Sequence, residues 1–148
     1  MFLKPALCLR TSALYLKANM TLTTLVILYL CFRFKHLLCD WFLQSHWMAV
    51  SKGLPGNKGG YAALLSHAFI HGLGTLIITL IFAPDLWWLF LADILLHGLI
   101  DRIKARATLK YELGVKNKWY WWSLGVDQEA HNLTNLLFII LIYLHLSA

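Results

Sequence analysis

The residues of this sequence best suited to chemistry are histidines and aspartates that recur four positions apart. In an α-helix, residues at this spacing project from the same face one turn apart, so each pair can reach one point or two adjacent points. Imidazole and carboxylate together bind Zn, Mn or Fe, and we predict one or two such transition-metal ions as the cofactor. The predicted metal ligands are His36 and Asp40, His67 and His71, His97 and Asp101, and Asp127 and His131.

Two aspartates are the predicted catalytic residues. Asp93 continues the third pair by one turn, and Asp127 belongs to the fourth pair. A bound metal ion polarises a phosphoryl or acyl oxygen and acidifies water, while a carboxylate outside the ligand set takes the proton. Either Asp93 or Asp127 fits that role of general base.

The same pairs have a structural interpretation. A lone His–Asp pair on one helix is more often a hydrogen-bonded structural pair than a metal site. Four pairs at one level of a helix bundle favour metal binding, because charged groups inside a membrane are expensive and usually serve a function. A proton relay and a purely structural polar network remain the alternatives.

The composition is typical of a membrane protein. Hydrophobic residues make up 59% of the chain and charged residues 14%, against roughly 45–50% and about 25% in soluble domains. The net charge of +6 does not indicate nucleic acid, because the basic residues lie between long apolar runs and form no continuous basic face. Membrane lipids are therefore the predicted partners, and nucleic acid is not.

Four apolar stretches have the roughly 20 residues that a helix needs to cross a bilayer. The predicted fold is all-α: a polytopic membrane protein in which residues 21–148 form a bundle of four transmembrane helices. The predicted spans are Thr21 to Gln44, Tyr61 to Ala83, Leu86 to about Arg106, and about Val126 to Leu146. Pro84 separates the second span from the third, and a basic, Trp-rich connection around Lys110 to Trp122 precedes the fourth.

The distribution of Lys and Arg predicts the orientation. Lys52, Lys58, Arg102, Lys104, Arg106, Lys110, Lys116 and Lys118 lie in or beside the first and third connections. These connections should be cytoplasmic by the positive-inside rule. The four His/Asp pairs fall late, early, late and early in successive spans, so an up-down bundle places them all near the cytoplasmic end.

The first 20 residues form a separate segment. They carry Lys4, Arg10 and Lys17 but no unbroken apolar core with a small-residue cleavage site, so a cleaved signal peptide is not predicted. Residues 1–20 are an upstream extension or an amphipathic leader on the membrane surface. Both Met1 and Met20 are candidate translation starts.

Four motifs in order resemble a known family. They are His36-Leu-Leu-Cys-Asp40-Trp-Phe-Leu-Gln44, His67-Ala-Phe-Ile-His71-Gly, His97-Gly-Leu-Ile-Asp101 with Lys104, and Asp127-Gln-Glu-Ala-His131. From about Leu28 to the C-terminus the chain resembles the bacterial and phage membrane family called domain of unknown function 3307. Cys39 and His46 depart from its usual pattern, and neither departure removes a predicted ligand. The resemblance implies a small multi-pass protein of the bacterial inner membrane, without an established reaction.

A looser similarity in His/Asp motifs links the chain to membrane-bound metal-dependent hydrolases. The predicted function is therefore a metal-dependent hydrolase that acts on a lipid-like or phosphoester substrate at the cytoplasmic face. The alternative is a non-catalytic membrane protein that binds metal or protons, or a phage factor that interacts with the host envelope, in which the cluster is structural. The sequence leaves a homo-oligomer open.

Overall fold

The computed structural model describes residues 22–147, and within this range the chain forms five α-helices and no β-strand. The helices are α1 (Leu22–Leu43), α2 (His46–Ser51), α3 (Gly60–Phe82), α4 (Leu89–Lys110) and α5 (Lys118–Ser147). The last six residues of α1, Leu38–Leu43, form a π-helical turn. Short 3-10 turns at Gly56–Lys58 and Pro84–Leu86 precede α3 and α4. The predicted leader, residues 1–20, lies outside the described residues.

Three of these helices, α1, α3 and α5, are long and apolar enough to cross a membrane. Helix α4 has 22 residues, which is a sufficient length. It differs in its charged side chains, which are Asp93, Asp101, Arg102, Lys104, Arg106 and Lys110. Three helices that can span a membrane agree with the prediction of an all-helical membrane protein. The charged side chains of α4 set this helix apart from those three.

Helix α3 ends at Phe82, one residue before the predicted end at Ala83, whereas α5 begins earlier than predicted. We expected a connection up to Trp122, but α5 starts at Lys118, so Trp119 lies in its first turn. The side chain of Asn117 accepts a hydrogen bond from the Trp119 backbone N–H at 3.0 Å. Asn is among the residues preferred at this capping position, and the cap explains the earlier start.

The apolar core lies at one end of the bundle. Side chains from the first half of α1, the end of α3, the start of α4 and the second half of α5 pack together there. These residues are Leu28, Phe32, Ile78, Ala83, Leu89, Phe138, Ile139 and Ile142. Next to this core, the second half of α1 and the middle parts of α3, α4 and α5 contribute buried polar residues, so the interior changes from apolar to polar along the bundle.

Helices α3 and α4 approach each other closely at Gly72. A Cβ atom at this position would lie 2.6 Å from Cγ1 of Ile94 and 3.0 Å from the carbonyl oxygen of Phe90. At Gly125 in α5, by contrast, an added Cβ would meet no atom within 4 Å. The two glycines therefore form a matched pair for testing how tightly α3 and α4 pack.

We expect Gly72→Ala to lower the free energy of unfolding by about 1–3 kcal/mol, because overpacking forces the two helices apart. Gly125→Ala should raise it by about 0.5–1 kcal/mol, since alanine stabilises a helix interior relative to glycine. Thermal unfolding followed by circular dichroism in one detergent measures both. Equal stability of the two variants would contradict the close packing of α3 on α4.

Candidate metal centre

The structure brings the eight predicted metal ligands into one region of the bundle interior. Helices α1, α3, α4 and α5 contribute two each, and Asp40 is the only one of the eight that is not buried. Distances from imidazole nitrogens to carboxylate oxygens, none longer than 3.8 Å, link all eight into a continuous cluster. Pairs that the helical spacing predicted only within single helices thus meet across four helices.

Asp40 faces three of the histidines. Its Oδ1 lies 2.9 Å from Nε2 of His71 and 3.3 Å from Nε2 of His67. Its Oδ2 lies 3.1 Å from Nε2 of His36. Asp40 belongs to the π-helical turn that ends α1, and such turns occur frequently at functional sites. An irregular helix end therefore presents this carboxylate to the cluster.

Asp101 faces the other part of the cluster. Its Oδ2 lies 3.4 Å from Nε2 of His67, and its Oδ1 lies 3.5 Å from Nε2 of His131. The ammonium group of Lys52 donates a hydrogen bond to Asp101 Oδ2 at 2.7 Å. Lys52 directly follows α2, so the connection between α1 and α3 reaches the cluster through this lysine.

His97 lies between the two carboxylates and stacks on two other rings. Its ring centroid is 3.6 Å from that of His71 and 4.1 Å from that of His131. Its Nε2 lies 3.2 Å from Nε2 of His67. Two imidazole nitrogens at this distance either share one proton or direct their electron pairs at a common ion.

The distances between donor atoms fit a transition-metal ion. Two ligands of a tetrahedral zinc ion, each about 2.0–2.1 Å from the metal, lie about 3.3 Å apart. The separation from His67 Nε2 is 3.3 Å to Asp40 Oδ1 and 3.2 Å to His97 Nε2. Nε2 of His36 is buried and lies 3.1 Å from Asp40 Oδ2, which is within the spacing of two ligands on one ion.

Two groups of residues each have donor atoms that lie within 4.8 Å of one another. One group is Asp40, His67, His71 and His97, and the other is His97, Asp101 and His131. The groups share His97, so the cluster offers ligands for one ion or for two adjacent ions. His36, at 3.1 Å from Asp40, adds a further nitrogen to the first group.

Comparison with known families matches residues 25–148 to the family described as "Protein of unknown function (DUF3307)". The matched range includes all eight residues of the cluster. This chain belongs to the DUF3307 family. No match was found among curated proteins or among solved structures.

In this DUF3307 protein, Asp93 belongs to a second polar group, on the side of His97 away from Asp101. The Lys35 ammonium donates hydrogen bonds to Asp93 Oδ2 at 2.8 Å, Thr75 Oγ1 at 3.1 Å and Asn135 Oδ1 at 3.3 Å. The Thr75 hydroxyl donates to the same Asp93 oxygen at 2.6 Å. All four residues are buried. This group, which we call the Lys35 network, joins α1, α3, α4 and α5.

Sequence reasoning missed the structural positions of Lys35 and Lys52 in the DUF3307 chain. Lys35 directly precedes His36 within an apolar stretch, and a lysine inside a membrane span normally has a buried partner, so its position carried a signal. The sequence places Lys52 just outside the first span, as one of the charges that set orientation and as part of the family motif, and neither role predicts a contact with Asp101. Its contact with Asp101 depends on the path of the connection through α2, which no sequence spacing indicates.

Asp127 lies at the edge of the cluster. Its Oδ1 is 3.7 Å from Nε2 of His131, is buried, and has no hydrogen-bond partner among the described residues. Its Oδ2 lies 3.9 Å from the ammonium nitrogen of Lys104. Asp127 is absent from both groups of donor atoms. It therefore has a free acceptor oxygen beside the predicted metal ligands, whereas Asp93 Oδ2 already accepts two hydrogen bonds.

The charges of the two polar groups do not balance. In the part of the chain that the structure describes, three ammonium groups each contact one carboxylate, and the fourth carboxylate, Asp40, faces only histidines. The lysines are Lys35, Lys52 and Lys104, and the aspartates are Asp40, Asp93, Asp101 and Asp127. With neutral histidines the sum is one negative charge, in a setting where unbalanced charge is costly. A bound cation would compensate it, and so would a proton on His131, which faces both Asp101 and Asp127.

Proposed function

We propose that α4 is a fourth transmembrane helix and that the metal centre lies near the cytoplasmic face of a bacterial inner membrane. Asp93 and Asp101 of α4 are buried and paired with Lys35 and Lys52, so they need not contact lipid. The remaining charges of α4 lie in its last ten residues, at the end where Lys and Arg accumulate. The positive-inside rule assigns that end to the cytoplasm.

We further propose that the cluster binds one or two ions of Zn, Mn or Fe. The convergence of five Nε2 atoms from four helices on Asp40 and Asp101 carries this proposal. Facing helices of a bundle are an established way to build carboxylate and histidine metal sites. Mg or Ca would favour oxygen ligands and fewer histidines.

The function that this site supports best is metal-dependent hydrolysis of a lipid-like or phosphoester substrate. A metal ion held by the cluster would supply Lewis acidity toward a phosphoryl or acyl oxygen and toward water. The water oxygen would form a bond to phosphorus or carbon, and the bond to the leaving oxygen would break. Asp127 would take the proton from water and return it to the leaving oxygen.

The residues around Asp127 suit this division of roles. Asp127 Oδ1 faces His131 of the cluster, while Oδ2 faces Lys104. A carboxylate between a metal ligand and a lysine can receive a proton beside the ion and remain outside the ligand set. Asp93 is a weaker candidate for the base, because Lys35 and Thr75 occupy its Oδ2.

The metal proposal predicts at least one equivalent of Zn, Mn or Fe in protein purified in a non-ionic detergent. Plasma mass spectrometry measures the content, and the variant His71→Ala/Asp101→Ala should contain none, because it loses a ligand from each donor group. His145→Ala is the matched control, since His145 is exposed and, among residues 22–147, pairs only with the exposed Asp85. We expect this control to keep the native metal content.

A helical circular dichroism spectrum like that of the native protein would establish that the double variant is folded. If it does not fold, His36→Ala alone should still lower the metal content. Native protein without metal after incubation with Zn, Mn and Fe in turn would overturn the proposal. Hydrolysis is then tested on metal-loaded protein with hexadecyl para-nitrophenyl phosphate and with para-nitrophenyl palmitate, which represent the phosphoester and acyl ester classes.

A second candidate function is a proton or metal-ion relay without hydrolysis. The Lys35 network favours it, because this network continues the polar interior beyond the histidines toward the apolar core. The core layer that contains Phe32, Leu89 and Phe138 is fully buried and apolar, however, and it separates the polar groups from the opposite end of the bundle. Metal binding without turnover of either ester would favour this candidate.

A further inference from the structure

A groove with a volume of about 880 Å³ runs between α4 and α5 beside the metal centre. Its walls are almost entirely apolar, and their main side chains are Ile103, Ala107, Trp119, Trp122, Val126 and Ala130. Its size falls within the roughly 300–1,000 Å³ that small-molecule sites occupy. The groove is therefore large enough for a hydrocarbon chain.

Two charged residues also line this apolar groove: Lys104 and Asp127. They lie opposite each other on α4 and α5, with 3.9 Å between the ammonium nitrogen and Asp127 Oδ2. Because Asp127 also approaches His131, the same carboxylate belongs to the groove and to the edge of the metal cluster. A ligand in the groove would place its polar end at this shared point.

Lys104 supplies the cation at that point, and no short hydrogen bond within residues 22–147 engages it. Lys52 and Arg102 lie nearby in the bundle, but Lys52 donates to Asp101 at 2.7 Å, and Arg102 donates to the backbone oxygens of Lys52 and Leu54. Within the described residues, Lys104 has only the long contact with Asp127. Its ammonium group can therefore bind an anionic oxygen of a ligand.

Charge rather than apolar area must select the ligand of this groove. Lipid tails are as apolar as the groove walls, so burial of a chain there releases little free energy relative to the bilayer. A head group that carries negative charge gains the contact with Lys104, and a neutral or cationic head group does not. Trp119 and Trp122 flank the same groove, and tryptophan favours the interface where lipid head groups lie.

We propose that the α4–α5 groove binds the hydrocarbon tail of a single-chain anionic amphiphile whose phosphate contacts Lys104 beside Asp127. That this ligand is the substrate rests on the proposed hydrolase function, whereas the binding itself does not. The proposal narrows the substrate class to alkyl or isoprenoid phosphates and phosphodiesters with one chain in the groove.

Photo-crosslinking tests the proposal in the full-length protein, reconstituted in phosphatidylcholine nanodiscs. The probe is hexadecyl phosphate with a diazirine in the middle of its chain, and mass spectrometry maps the labelled peptides. We expect adducts within residues 100–107 and 119–130. Excess hexadecyl phosphate should compete with the label, and hexadecyltrimethylammonium should not.

Two matched pairs of variants separate charge from shape. Lys104→Gln should reduce the labelling about tenfold, and Arg106→Gln, an exposed charge on the same helix outside the groove, should not. Ala107→Trp should block the groove, and Ala62→Trp on the exposed surface of α3 should leave the labelling intact. The charge pair remains informative if Ala107→Trp does not fold.

Labels spread over the exposed faces of all helices would identify the probe as bulk lipid and overturn the proposal. The absence of label from the groove residues would also overturn the proposal. This result is expected if a second copy of the chain covers the groove. Labelling of Lys104→Gln at the native level would show that charge does not select the ligand, and it would overturn the proposal as well. If the groove is labelled but the protein has neither metal nor esterase activity, the hydrolase function is overturned. The proposal that the groove binds an anionic amphiphile is then retained.

Discussion

Replacing Asp127 with Asn is expected to lower the rate of ester hydrolysis by about 10²–10⁴-fold, the usual contribution of a general base. The amide of Asn has nearly the shape of the carboxylate but cannot accept the proton from water. Metal content should remain at the native level, because Asp127 is absent from both groups of donor atoms. Initial rates with hexadecyl para-nitrophenyl phosphate and metal analysis of the same sample measure the two effects.

Glu129→Gln is the control for this experiment. Glu129 lies on α5 close to Asp127, but it is exposed and accepts a hydrogen bond from Asn132. The same loss of one negative charge should leave the rate within about twofold of the native value, because exposed charges contribute little. If Asp127→Asn loses both metal and activity, Asp127 is a ligand and its role as the base is excluded. If it loses neither, another group takes the proton.

The second large effect concerns stability. Lys35→Met should lower the free energy of unfolding by about 3–5 kcal/mol, because it leaves the buried carboxylate of Asp93 without its cation. The double variant Lys35→Met/Asp93→Asn removes both charges, and the Asn amide can still accept the hydrogen bond from Thr75. We expect it to recover most of the lost stability, as replacement of whole buried ion pairs often does.

Thermal unfolding in detergent, followed by circular dichroism, compares these variants with Lys58→Met. Lys58 is exposed in the turn before α3, so its replacement should change stability by less than about 0.5 kcal/mol. Similar stability of Lys35→Met and the native protein would show that the Lys35 network does not hold the four helices together. Metal content of the double variant further tests whether the network positions the histidines.

Several features of the fold follow from local sequence rules. Apolar runs of sufficient length identify α1, α3 and α5, and Pro84 marks the end of α3. Helix α5 starts eight residues before the predicted span, because Asn117 caps the helix ahead of the Trp-rich segment. The π turn of α1 departs from the 3.6-residue period, and α2 has only six residues, so periodicity predicts neither of them.

The sequence by itself determined the helical class, the family, and the eight His and Asp residues that the bundle brings together. This was possible because a spacing of four places two residues on one helix face whatever the helix packs against. A different rule points to Lys35, since a lysine in an apolar stretch requires a buried partner.

Only the tertiary structure decided which residues meet across helices. It separated Asp93 from the histidines by pairing it with Lys35, brought Lys52 to Asp101, and placed Asp127 between the cluster and the α4–α5 groove. These contacts join residues that are far apart in the chain, and they depend on the rotation and crossing of whole helices. Sequence spacing defines the face of each helix, whereas packing determines what that face contacts.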